Sequence, residues 1–219
     1  MSLNIVELKP KDFDRAAFLL AKSFYDNPSH VYIFANPKTR LNLLQWGLKA
    51  NLKLNLSSSE HIAKSFALVE ESKPPGTRQI EAMGFWNSPQ SNSISFISKI
   101  NSGWLIMPFK FGRETYQRLV EVMGTMEQIK QEVLGKNKAW YLNNMVVTEE
   151  LRGTGIGTKL LQHQLQSVVI PSNFPAILMT QKETNVRFYR KLGFEVARRS
   201  TIGTQKNLFT NWCLILPNN

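Results

Sequence analysis

The sequence predicts a single α/β domain over residues 1–219, built on a mixed sheet of six or seven strands flanked by helices. Two observations carry that prediction. From residue 138 onward, apolar β-leaning runs alternate with segments of helical periodicity, the pattern of an α/β sheet. A chain of 219 residues with 42% apolar content can also bury a full core within the usual size of one domain.

Residues 3–8 alternate apolar and polar side chains and read as a strand. Residues 11–25 then place Phe13, Ala16, Ala17, Leu20 and Phe24 at helical spacing. Asp26-Asn27-Pro28 breaks that helix, and a second runs over residues 39–56 with Leu41, Leu44, Leu48 and Leu52 on one stripe. Residues 61–71 and 78–86 are strand-like runs on either side of Lys73-Pro74-Pro75-Gly76, which predicts an antiparallel hairpin. The stretch 87–138 is rich in Met and aromatic residues and reads as helical, most clearly over 114–134. Strand (140–147), helix (155–168), strand (176–181), helix (185–192) and two closing strands (194–202, 207–216) complete the chain.

The 27 basic and 16 acidic residues give a net charge of +11, which favours a polyanionic partner: nucleic acid, a lipid surface or a phosphorylated cofactor. A nucleic-acid binder would show a basic stripe interleaved with aromatics or a known reading motif, and the sequence has neither. No apolar run is long enough to span a bilayer, and the N-terminus lacks the pattern of a signal peptide. The single cysteine, Cys213, rules out an intrachain disulfide and reads as a small buried strand residue. The three histidines have no metal-ligand spacing. The expectation is a soluble cytoplasmic protein with no metal, no nucleic-acid partner and no membrane partner; a homodimer is compatible with the sequence.

The strongest local signal runs from Met145-Val146-Val147 through Thr148-Glu149-Glu150-Leu151 to Arg152-Gly153-Thr154-Gly155-Ile156-Gly157, a strand end entering a helix through a Gly-rich turn. Glycines let backbone N–H groups approach a ligand, the helix start adds unpaired donors, and Arg152 adds a full charge; a pyrophosphate suits such a turn. It is not the dinucleotide fingerprint, because Gly153, Gly155 and Gly157 alternate and Thr158 stands where the last Gly would be. It is not a P-loop either, lacking Gly-Lys-Ser/Thr.

Arg152-Gly153-Thr154-Gly155-Ile156-Gly157 resembles the acetyl-CoA signature of the GNAT N-acetyltransferases. Asn185-Val186-Arg187-Phe188-Tyr189-Arg190-Lys191-Leu192-Gly193-Phe194 resembles that family's second motif, in the right order downstream. Trp140-Tyr141-Leu142, and more loosely Phe24-Tyr25-Asp26-Asn27-Pro28, are similar to a small-molecule branch that includes puromycin N-acetyltransferase; Ala139 stands where that branch often has a histidine.

The resemblance implies a mostly antiparallel sheet whose central parallel pair splays to admit the pantetheine of acetyl-CoA. It implies that main-chain groups of Met145, Val146 and Val147 pair with the pantetheine amides. Arg152, Gly153, Thr154, Gly155, Ile156, Gly157 and Thr158 would hold the pyrophosphate. Asn185 would bond the pantetheine arm or the turn beneath it while also capping its helix, and Tyr189 would face the thioester sulfur.

The implied reaction is direct transfer of an acetyl group to a primary amine in a ternary complex. A tyrosine near pKa 10 giving its proton outright to a thiolate near 8.5 is uphill by about 2 kcal/mol, so hydrogen bonding from Tyr189 to developing charge matters more than complete transfer. The N–H of Val146 or Val147 is the candidate oxyanion donor. The strand 140–147 offers no carboxylate or histidine as a base, and Glu81 reads more simply as a solvated strand residue. The Met and aromatic residues from Trp104 to Met126, like Tyr25, Tyr32 and Phe34, read as core more readily than as acceptor pocket. The alternative from another class is an acyl-CoA-binding sensor without turnover.

Overall fold

The computed structural model describes residues 3–56, 63–70, 79–90, 96–205 and 207–218. β1 (Leu3–Glu7) leads through a 3-10 turn into α1 (Phe13–Phe24), whose buried Phe13, Ala16, Ala17, Leu20 and Ala21 form the stripe that the spacing predicts. The break at Asp26-Asn27-Pro28 starts a second helix. Asn27 Oδ1 accepts the Ser29 N–H at 3.0 Å and Pro28 takes the first helical position, so the residues that end α1 also cap α2 (Pro28–Ile33). α3 (Pro37–Leu56) follows, then β2 (Ala63–Glu70) and β3 (Ile80–Asn87), paired antiparallel as predicted; the Lys73 to Gly76 turn lies outside the described residues.

The Met-rich stretch is helical, as α4 (Phe96–Ser102), α5 (Met107–Phe111) and α6 (Arg113–Leu134). β4 (Trp140–Val147), α7 (Ile156–Gln164), β5 (Ala176–Thr180), α8 (Glu183–Arg190), β6 (Glu195–Thr204) and β7 (Asn207–Leu216) complete the chain; α7 runs on as a π-helical turn, Leu165–Val169. Among the described residues no helix is long and apolar enough to cross a membrane.

Among the described residues seven strands form one sheet in the order β1-β2-β3-β4-β5-β7-β6, antiparallel throughout except for the central β4–β5 pair. One face packs on α1, α3, α5 and α6 around Phe13, Leu20, Leu44, Phe85 and Ile177; the other packs on α7 and α8 around Trp86, Leu142, Leu161 and Phe194. β5 is buried on both faces, which explains its unbroken apolar run Ala176-Ile177-Leu178-Met179.

α7 is pinned to the sheet by Gln164, which is fully buried. Its Oε1 accepts the Trp86 indole N–H at 2.9 Å and its Nε2 donates to the Gly84 carbonyl at 3.3 Å. A Cβ at Gly84 would sit 2.4 Å from that amide, so the glycine makes room for it. Gln164→Leu keeps the volume and orphans both partners. It is expected to cost about 2–3 kcal/mol and lower Tm by about 5–10 °C in a calorimetric scan; an unchanged Tm would show the amide to be dispensable.

Candidate active site

β4 and β5 share register over only three pairs, Trp140–Ala176, Tyr141–Ile177 and Leu142–Leu178. Beyond them β4 continues alone against β3, so among the described residues no strand lies beside the edge of residues 143–147 that faces β5. The cause is a bulge: on β3, Phe85 opposes Asn144 and the next residue, Trp86, opposes Leu142, leaving Asn143 as the extra residue. The bulge shifts the side-chain phase. Trp140 and Leu142 pack on the α7–α8 side, whereas after it Val146 turns to the α1–α3 side and Met145 and Val147 to α7.

A chain of amides fixes the bulge. Asn144 Nδ2 donates to Asn143 Oδ1 (3.0 Å), Asn143 to Asn87 (3.0 Å), Asn87 to Asn55 (2.9 Å), and Asn55 to Asn51 on α3 (2.8 Å). The sequence carried a signal for this: two asparagines inside an otherwise apolar strand, where Asn is disfavoured.

The strand end then enters the Gly-rich turn. Gly153 and Gly155 sit at φ +80° and +86°, and nothing lies within 4 Å of a Cβ built on either, so the backbone conformation rather than crowding favours glycine, and the space beside the turn is open. Gly157 serves packing: a Cβ there would meet Val147 Cγ2 at 3.1 Å. The first bond at this end of α7 is Lys159 N–H to the Gly155 carbonyl (2.9 Å), and the N–H groups of Ile156, Gly157 and Thr158 lie ahead of it at the helix end. Arg152 is exposed there, its Nε donating to the Val147 carbonyl at 3.3 Å. Thr154, Ile156 and Thr158 lie in the same turn and first helical residues, Thr154 Oγ1 donating to the Leu151 carbonyl at 2.7 Å. An extended amide chain ending in a pyrophosphate fits these features: an unpaired strand edge, then donors and a cation. Glu81 lies at this turn rather than at a reacting centre. It is buried, not solvated as expected, and its carboxylate accepts the Thr148 hydroxyl at 3.0 Å.

On the α1–α3 side the parted strands open into a cavity of about 330 Å³. Met145, Asn185 and Tyr189 line it, so three of the residues singled out from sequence meet there. Asn185 is not the helix cap: Lys182 occupies that position, and Asn185, in the first turn of α8, donates instead to Thr180 Oγ1 at the end of β5 (3.0 Å). Tyr189 is 7% exposed and packs edge-on to Phe188 and Phe194. Burial, and then the neighbouring Tyr141, push its hydroxyl pKa well above the usual tyrosine value. Tyr141 lines the same cavity and is pushed up to about 12, mainly by burial.

The far walls correct the expectation for the Met and aromatic stretch: Trp104, Met107, Phe111, Met123 and Met126 line the cavity, as does Phe34. Met107 and Phe111 are at the same time core residues, being buried under 8% exposure. Tyr25 and Tyr32 are structural, their hydroxyls donating to the Pro37 carbonyl (3.0 Å) and to Glu121 (2.9 Å). Cys213 is fully buried, with its thiol pushed up to about 11 by burial.

His30, which the sequence did not single out, also lines the cavity. It stacks on Phe24 at 5.5 Å between ring centroids, and its buried Nδ1 has no hydrogen-bond partner. Burial lowers its pKa from 6.5 to about 4, against a raising hydrogen bond with the Phe24 backbone. Because the folded value lies below the unfolded one, the unfolded chain binds the extra proton first. Stability is therefore complete above pH 6.5 and falls as pH drops toward 4, by up to about 3 kcal/mol. Tm followed from pH 7 to 4 should show this decline, with a shallower slope in His30→Leu; identical slopes would assign the decline to other groups. Among the described residues no cluster of three His, Cys, Asp or Glu side chains could hold a metal.

The described sheet parts at its central parallel pair over a Gly-rich helix start, the arrangement that the sequence resemblance implies. Residues 116–196 match the family model of the acetyltransferase (GNAT) domain. The fold is similar over 100% of this chain and 98% of the other to a Corynebacterium glutamicum structure described as histone acetyltransferase HPA2 and related acetyltransferase, at TM-score 0.65 and 15% identity. It is also similar to Arabidopsis thaliana NAA60 in complex with acetyl-CoA, at TM-score 0.53 and 13% identity over 98% and 97% of the two chains. Among curated proteins the chain is 24% identical over 220 residues to a probable serine/threonine-protein kinase of Dictyostelium discoideum. That match takes in 92% of this chain and 22% of the relative, so the chain spans about a fifth of that protein's length.

Proposed function

We propose that the chain is an acetyl-CoA-dependent N-acetyltransferase that moves an acetyl group to a primary amine by direct attack in a ternary complex. The observation that carries this reading is the position of Tyr189: it lines a cavity opening from the gap between β4 and β5, where Asn185 and the unpaired edge of β4 also meet.

The residues then divide the work. Main-chain groups of Met145, Val146 and Val147 bond the pantetheine amides, and the turn from Arg152 to Thr158 holds the pyrophosphate through helix-end N–H groups, the dipole and the Arg152 charge. An unpaired N–H of β4 stabilises the carbonyl oxygen as it becomes negative. The amine nitrogen bonds the carbonyl carbon, the carbon–sulfur bond breaks, and the proton lost by nitrogen balances the one gained by sulfur. A neutral incoming amine therefore needs no net base, which suits a cavity whose inner end offers no carboxylate. The Tyr189 hydroxyl, held protonated by burial, donates a hydrogen bond to the sulfur as charge develops.

The test is a calorimetric titration of the protein with acetyl-CoA, CoA and NADH, followed by an assay of thiol release with added amines. Saturable acetyl-CoA binding with amine-dependent thiol release is expected. Binding without release from any amine would leave a sensor, and binding of NADH alone would overturn the co-substrate.

A further inference from the structure

The same cavity carries information about the acceptor, and that step rests on the N-acetyltransferase reading. Among the described residues its ionisable lining is small: His30, Glu127, Lys130, Tyr141 and Tyr189. Glu127 and Lys130 stand one turn apart on α6, ion-paired at 2.5 Å with half of the glutamate side chain in solvent, and the Lys130 Nζ lies 5.6 Å from the Tyr141 ring centroid. They form a partly wetted rim and sum to zero charge. Inside the rim the body of the cavity is Phe34, Leu44, Leu48, Trp104, Met107 and Phe111. Its other polar groups are neutral amides and hydroxyls, together with the unpartnered Nδ1 of His30, which burial keeps uncharged at neutral pH.

Such a space selects by charge. An alkylammonium leaving water for this interior loses solvation without gaining a counter-ion, which favours shedding its proton, and shedding it is what the reaction requires. A molecule with a second ammonium, or with a carboxylate beside its amine, would bring in a charge that no inner side chain pairs with. Rings and alkyl chains, by contrast, find aromatic and Met walls. We infer that the acceptor is a small primary monoamine with an uncharged aryl or alkyl body, seated between α3, α5 and α6 with its nitrogen toward Tyr189.

The test compares four probes with acetyl-CoA: phenethylamine, hexylamine, spermidine and a short peptide with N-terminal alanine. Thiol release should favour the first two in kcat/KM by at least about 100-fold. Two rim variants should move KM for phenethylamine in opposite directions with kcat held: Glu127→Gln, which leaves Lys130 alone, upward by about fivefold, and Lys130→Ala downward by a similar factor. In parallel, each probe is titrated into the protein–CoA complex by calorimetry. Monoamine binding without turnover would support the assigned class while overturning the transferase reading. Preferred turnover of spermidine or the peptide would overturn the class and leave the transferase reading standing. Neither binding nor turnover of the monoamines, or rim variants that move KM in the same direction, would overturn the class.

Discussion

Tyr189→Phe is expected to lower kcat by about 100-fold while leaving the acetyl-CoA Kd within about twofold. The ring is the buried part of this side chain, edge-on to Phe188 and Phe194 at 5.1 and 5.8 Å, and phenylalanine preserves those contacts. What disappears is a single O–H on a buried side chain, where a donor aimed at developing charge is worth more than in solution. The proposed binding surface for the co-substrate, by contrast, is main chain along β4 and the turn after it, which the substitution does not touch. Thiol release under saturating amine gives kcat, and calorimetry gives Kd. An unchanged kcat would mean that sulfur takes its hydrogen bond from water, and a large rise in Kd with kcat retained would reduce Tyr189 to cavity wall.

The parts of this architecture that were legible in the sequence are those set by short-range chemistry. The stripe Phe13, Ala16, Ala17, Leu20 repeats at the helical period, and the turn Arg152 to Gly157 encodes its own shape, because two of its glycines occupy φ values that other residues avoid. The strand and helix order from residue 140 onward followed from the same reasoning. Asn27-Pro28 was read as a stop and is also a start, since an Asn cap and a Pro at the first helical position are start signals when another helix follows within a few residues.

The cavity was not legible for a different reason. Phe34, just past α2, and Leu48, Phe111 and Met126 on α3, α5 and α6 become neighbours only when these elements close over one sheet face. Nothing local separates Met107, which faces the cavity, from Met83, which is plain core. Glu81 misled in the same way: in sequence it is a charge in a strand, and only the β3–β4 pairing brings it to Thr148. The bulge could have been found, because Asn143-Asn144 contradicts the apolar pattern around it, and such local conflicts tend to mark functional geometry.

Arg152→Glu is expected to weaken acetyl-CoA binding by more than about 100-fold with little change in Tm. The guanidinium is exposed at the turn, anchored by Nε to the Val147 carbonyl, and it packs nothing of the core. Reversing it changes the sign of its interaction with every charge on a bound pyrophosphate. At roughly 5 Å and an effective dielectric between those of water and a protein surface, each pair contributes about 1–3 kcal/mol, so the reversal exceeds 3 kcal/mol when two phosphates are near. The same argument predicts how salt should act. Exposed charges a few ångströms apart are partly screened, so the wild-type Kd should rise with ionic strength more steeply than that of Arg152→Ala, which has lost the attraction but added no repulsion. Calorimetric titrations of the three proteins at low and high salt measure both effects. Equal affinities would place the pyrophosphate elsewhere; a charge-reversed protein that binds weakly but regains affinity as salt rises would fix the anion at this helix start, because only repulsion is relieved by screening.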